Sequence, residues 1–170
     1  MFDEDTLTAT EMVEVEDSSV DCEPPFNAAE FEVLLQRECK LWQKKLRLQD
    51  WNVKVSLCRL HEMPDRDCLG FIAPVLDRKD AHMSLLSPLD VMLLPNQFIG
   101  GEEINYGLTL VHELLHLHTW PFAQGLTEQE TIAEEQAINA ISRALVQSHA
   151  EHMKPLTAHV TPPKTAGHYL

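Results

Sequence analysis

The sequence predicts a small α+β domain, and three observations predict it. Apolar residues recur at helical spacing between residues 27 and 48 and again beyond residue 127. Hydrophobic and polar residues alternate with a period of two from residue 52 to 57 and share faces in the same way from 81 to 86. A nearly all-apolar segment from Leu108 to His118 reads as a buried helix. The expected order is an N-terminal helix, about three strands of mixed or mostly antiparallel sheet, a central helix and a last helix. A chain of 170 residues has room for one such domain with a real core, and not comfortably for two.

Residues 1–25 carry nine acidic residues and no Lys or Arg, and end in Pro24 and Pro25. Such a segment buries too little apolar surface to offset its ordering entropy, so an acidic disordered arm is expected there. The first helix should start in "NAAEFEVLLQRECKLWQKKLRL", with Asn27 as cap and Glu30 three residues on. Phe31, Leu34, Leu35, Leu41, Trp42 and Leu46 form its apolar stripe. In "WNVKVSLCRL", Val53, Val55 and Leu57 alternate with Asn52, Lys54 and Ser56, the pattern of a half-buried strand. "LGFIAPVL" is a second strand, "DRKD" a turn, and "AHMSLL" a third strand with Ala81, Met83 and Leu85 on one face. Trp42 and Trp51 belong to the core and its edge.

After an irregular stretch holding Pro88, Pro95, Gly100 and Gly101, a helix is expected from about Glu102 to His118, stopped by Pro121. Thr127 can cap the final helix, "EQETIAEEQAINAISRALVQSHA". The organisation expected is therefore an arm over 1–25, a domain over 26–150 and a flexible tail over 151–170.

The formal charge of −14 argues against nucleic-acid phosphates and anionic membrane surfaces as partners. Nine of the acids sit in the arm, so the folded part is only mildly acidic. Cys22, Cys39, Cys58 and Cys68 form no CxxC pair and have no close Cys/His spacing, so neither a zinc knuckle nor a dithiol redox motif is expected. A Cys58–Cys68 disulfide is less favoured than reduced thiols at this cysteine density. The first residues lack a secretory signal and no apolar run reaches the roughly 20 residues that span a bilayer, which points to an intracellular protein.

The chemistry is concentrated in "LVHELLHLHTWP". His112, Glu113 and His116 form an HExxH pattern. On a helix the two histidines stand one turn apart on the same face, and Glu113, about 100° round, can approach a water on a shared ion. Zinc suits that arrangement: it lowers the pKa of its water towards neutrality, and a carboxylate can take the proton and pass it to a leaving amine. Chance alone can produce the pattern, but burying two imidazoles and a carboxylate without partners costs several kcal/mol, and a metal supplies the partner. His118 lies about 200° round the helix from His116, so it is a packing or surface residue. Leu110 to Leu117 are expected to floor the site.

A third ligand is needed, and Glu134 and Glu135 on the last helix can provide it. Glu134 aligns with Ile138, Ile141 and Leu145 at the centre of the apolar face; Glu135 lies at its polar boundary with Asn139 and Ser142. The wheel leaves both open. The order "LQDWNVKV", "GFIAPVLDRKDAHMSLL", "TLVHELLHLH" and "EEQAINAISRALV" resembles a phage-encoded family of metallopeptidases of minimal gluzincin type, over roughly residues 30–147. That resemblance implies a zincin-like fold, a Zn2+ cofactor held by His112, His116 and Glu135, and Glu113 as general base. It also implies Asn139 bracing a ligating imidazole, a peptide or protein substrate, and the cytoplasm of an infected or lysogenic bacterial host as location. Arm and tail fall outside the likeness.

Other residues have blander roles. His82 is read as an exposed strand residue, Tyr106 as core rather than an oxyanion donor, and His149, His152, His159 and His168 as solvated. The function expected is zinc-dependent peptide-bond hydrolysis. The rivals are a non-hydrolytic metal-binding phage accessory or assembly protein, which has no evident need for Glu113, and a metal-free interaction protein whose acidic arm docks on a basic partner.

Overall fold

The computed structural model describes residues 26–64, 68–91 and 104–150. The arm, the tail, Glu102 and the segment holding Pro95, Gly100 and Gly101 lie outside them. The fold is α+β: helix α1 (Ala28–Lys45), strand β1 (Asn52–Cys58), a 3-10 turn (Leu60–Glu62), β2 (Gly70–Val75), β3 (Asp80–Leu86), α2 (Tyr106–Thr119) and α3 (Glu128–Ala150).

Asn27 caps α1, its side chain accepting the Glu30 N–H. The buried stripe of α1 runs through Phe31, Leu35, Cys39 and Trp42, at steps of four and three residues. Leu34, one position off that line, is 46% exposed rather than part of the stripe. Gln43 is buried at the end of the helix and donates to Leu48 O and Trp51 O, which folds the chain sharply into β1.

The sheet order is β1-β3-β2, and only half of the pairing is antiparallel. β2 and β3 form an antiparallel hairpin, with Gly70 opposite Leu85 and Val75 opposite Asp80, whereas β1 runs parallel to β3, from Asn52 beside Asp80 to Cys58 beside Leu86. The sheet is thus mixed, within the α+β arrangement expected from the sequence. The short turn between Val75 and Asp80 forces β2 against β3 in antiparallel sense; the chain leaving β1 passes first to β2, so β1 pairs with the other side of β3. A period of two carries no information about strand order or direction.

Val53, Val55, Ile72, Ala81, Met83 and Leu85 turn one face of the sheet inward, where α1 and α2 cover it. Each such aliphatic side chain contributes about 1.5–3 kcal/mol on full burial. The opposite face carries Phe71, Val75 and His82, all exposed.

The two edges of this sheet end differently. On β1, Val53 O accepts from Gln36 Nε2 (3.0 Å), Val55 N–H donates to Gln36 Oε1 (2.9 Å) and Leu57 N–H donates to Glu32 Oε1 (2.7 Å), so side chains of α1 take the place of a further strand. On β2, Leu86 N–H donates to Leu69 O at 2.9 Å. With the alternation of an antiparallel ladder, Phe71, Ala73 and Val75 then bond inward, and Gly70, Ile72 and Pro74 present their backbone outward. No described strand pairs with that side.

α2 begins at Tyr106, about one turn later than the sequence suggested, because Asn105 caps it: its Oδ1 accepts the Leu108 N–H at 3.0 Å. Thr127 caps α3 reciprocally with Glu130, each side chain accepting the other's backbone N–H. Among the described residues no helix is long and apolar enough to cross a membrane.

Candidate metal centre

α2 is anchored by Leu110, Val111, Leu114 and Leu117, all in the core. The apolar residues between Leu110 and Leu117 are therefore not the floor of the site; Leu110, Val111, Leu114, Leu115 and Leu117 pack in the core and hold the opposite face of α2 in place. Thr109, His112, Glu113, His116 and Trp120, spaced three and four residues apart, face a cleft of about 920 Å³. Its other walls are Leu69 to Ile72 on and before β2 and Glu135, Asn139 and Arg143 on α3.

His112, His116 and Glu135 come together there as a group whose ligand atoms lie within 4.8 Å of one another. His112 Nε2 and His116 Nε2 are 3.2 Å apart. Glu135 Oε2 lies 3.3 Å from His112 Nε2, and Oε1 lies 3.3 Å from His116 Nε2. A tetrahedral ion with bonds of about 2.0–2.1 Å has edges of about 3.3 Å between its ligand atoms. The three separations fit that edge length, and two imidazoles and a carboxylate are a donor set zinc accepts. The convergence of two ring nitrogens and a carboxylate on one point is an arrangement that a cation would satisfy.

Glu134, the other ligand open from the sequence, sits on the far side of the same ring. Its Oε1 lies 4.0 Å from His116 Nδ1 and is buried without a hydrogen-bond donor among the described residues. The two glutamates thus address opposite nitrogens of His116. On the other imidazole, Asn139 hydrogen-bonds His112. Burial, and then the neighbouring His116, hold the His112 imidazole below its usual range against the opposing pull of Glu135 and Asn139.

Glu113 is 6% exposed. Burial, reinforced by the negative charge of Glu135, pushes its carboxyl up to about 8. The strand above it makes room at Gly70, where a Cβ would stand 2.8 Å from Glu113 Oε1, 2.9 Å from its Cγ and 2.8 Å from Thr109 Cγ2. Gly70 is a site residue missed from the sequence. A glycine inside a strand is the signal that could have found it, since it marks close approach of another group.

The remaining sequence-flagged residues lie elsewhere. His118 donates from Nε2 to Leu46 O at 2.9 Å and packs the end of α2 onto α1. His82 pairs with Ser56 Oγ at 2.8 Å on the exposed face of the sheet. The Tyr106 hydroxyl donates to Leu86 O at 2.8 Å in the core, and burial pushes it beyond its usual range. His149, expected as solvated, instead packs against α1: its ring stands edge-on to Trp42, centroids 5.1 Å apart, and Nδ1 accepts from Lys45 Nζ. Ile141, expected on the apolar face of α3, is 49% exposed, while Ser142 is buried. The inward line of α3 runs from Glu135 through Ile138 and Ser142, so the helix is rotated from its most hydrophobic orientation. Cys58 carries a free thiol and packs beside Met63 and Leu86, so it forms no bridge with Cys68.

Comparison of the chain with protein-family models, with curated proteins and with solved structures finds no match.

Proposed function

We propose that this cleft hydrolyses peptide bonds with the help of one zinc ion. The observation that carries the reading is the triangle of His112, His116 and Glu135 donor atoms at 3.2–3.3 Å, with the buried carboxyl of Glu113 on the same helix face. When bound, zinc would acidify a water and polarise the scissile carbonyl.

The chain's own residues would do the rest. His112 and His116 offer Nε2, and Glu135 a carboxylate; Asn139 holds the ring of His112, and Glu134 faces Nδ1 of His116 and favours a proton there, which leaves Nε2 free to ligate. Glu113 takes a proton at its carboxylate and returns it to the leaving amine. Its raised affinity for protons suits the second task, and a nearby cation would draw it back towards the working range of a general base. The outward N–H and C=O groups of Gly70 and Ile72 are placed to pair with an extended peptide alongside the helix.

One experiment tests the reading. Protein purified without chelators should hold about one zinc per chain, and Glu113→Gln should keep that zinc while losing peptide hydrolysis by about a hundredfold or more. Absence of zinc, with no uptake on addition, would remove the metal from the account. Zinc retained by a wild type that cleaves no peptide would favour the non-hydrolytic accessory role instead.

A further inference from the structure

We propose that Arg143 recognises a carboxylate on the substrate, so that the cleft selects peptides with an acidic side chain or a free C terminus close to the bond that is cut. The inference rests on the reading of the cleft as a peptide-binding site. Glu135, Asn139 and Arg143 follow one another at four-residue steps along α3, so all three project on one face, and all three line the cleft. The first meets the histidine pair and the second hydrogen-bonds His112. The third continues the same line away from the metal centre.

Among the described residues lining the cleft, Arg143 is the one Lys or Arg. Its helix neighbours at three and four positions, Asn139, Ala140, Val146 and Gln147, are all uncharged, so no intrahelical acid can pair with it. Among the described residues it forms no ion pair, in contrast to Arg59 with Asp90, Arg78 with Asp80 and Lys79 with Asp50. The two carboxylates among the described residues of the cleft, Glu113 and Glu135, are committed beside the histidines. An exposed guanidinium with no acid partner among the described residues, in a cleft, is suited to bidentate capture of a carboxylate from outside.

Distance makes the proposal specific. Eight residues of helix separate Glu135 from Arg143, about 12 Å along the axis. An extended peptide covers about 3.3–3.6 Å per residue. The recognised carboxylate therefore falls within about four residues of the scissile bond.

The test is to digest a mixed peptide library with the zinc-loaded wild type, Arg143→Gln and Arg143→Glu, and to read the cut sites by mass spectrometry. The wild type should favour Asp or Glu over Asn or Gln at one position within four residues of the cut, by about fivefold to tenfold in kcat/KM. If the terminus is the ligand, cuts should instead cluster near free C termini and fall by the same factor on amidation. Arg143→Gln should bring either ratio close to one, and Arg143→Glu should shift it towards Lys and Arg. Identical profiles from all three proteins would overturn the assignment while leaving hydrolysis standing.

Should the library remain uncut, fluorescence anisotropy of a labelled Ala-based peptide bearing one Asp, against its Asn twin, decides the matter on zinc-loaded Glu113→Gln. Tighter binding of the Asp peptide, lost with Arg143→Glu added, supports the carboxylate site even though the hydrolytic reading has failed. Equal binding of the two peptides overturns it.

Discussion

The two edges of the sheet have the same backbone chemistry and opposite fates. On β1 the outward groups of Val53, Val55 and Leu57 are taken by Gln36 and Glu32, side chains of the helix that precedes the strand. On β2 the outward groups of Gly70 and Ile72 face the cleft that holds His112, His116 and Glu135. An exposed edge invites pairing with another chain, and a fold normally blunts it. Here the edge far from the histidines is closed by side chains, and no described strand pairs with the edge beside them. On the proposed reading, the difference separates a stabilising use of side chains from a binding use of backbone, and each half can be attacked alone.

The largest effect should come from filling the open side. Gly70→Val places methyl groups where Glu113 now lies, so hydrolysis should fall by about a hundredfold or more while zinc content stays near one per chain. Zinc analysis alongside peptide turnover checks it; full activity would show that β2 does not need to approach Glu113 so closely.

Next in size is the cost of burying that carboxyl. Its pKa in the metal-free folded protein, about 8, lies above the ordinary glutamate value of an unfolded chain, so between pH 4.5 and 8 the folded state holds more of the proton. Stability of the chelated protein should therefore fall as pH rises through that window and level off above it. Glu113→Gln has no such proton to lose, and should be the more stable by roughly 1–4 kcal/mol at pH 8, with the gap vanishing towards pH 4.5. Urea unfolding across pH, with chelator present, measures the gap; a gap independent of pH would place the carboxyl in a wetter site than its 6% exposure implies.

On the closed side, Gln36→Ala strips one donor and one acceptor from β1 and should cost about 1–3 kcal/mol. Thermal unfolding would register this as a drop of several degrees, and an unchanged midpoint would show that water replaces the amide without loss. Smallest of all, His82→Ala on the solvent face should shift stability by less than about 0.5 kcal/mol and leave zinc binding untouched.

The sequence was most legible where local rules and tertiary packing agree. Asn27 and Thr127 announce their helices because a capping side chain acts within three residues. Val53 with Val55, and Ala81 with Met83 and Leu85, announce strands because burial on one face demands alternation. What depends on partners distant in sequence was hidden. The parallel pairing of β1 with β3 leaves no mark on either strand. Ile141 and Ser142 exchange their expected burial because α3 is oriented by Glu135 and Ile138 rather than by hydrophobicity alone. Glu134 and Glu135 could not be separated on a wheel, since both turn towards α2; only the positions of the two nitrogens of His116 give them different neighbours.

Pro74 ends the open edge of β2. It lies on the outward-facing side of the ladder and has no N–H to give, so a visiting strand finds donors at Gly70 and Ile72 and then none. Two residues of pairing suit a short stretch of peptide but are too few to nucleate a growing sheet. On the proposed reading, the same proline would separate two kinds of guest: a segment passing through the cleft could be held, while the β2 edge of a second copy could not dock along its length and seed aggregation.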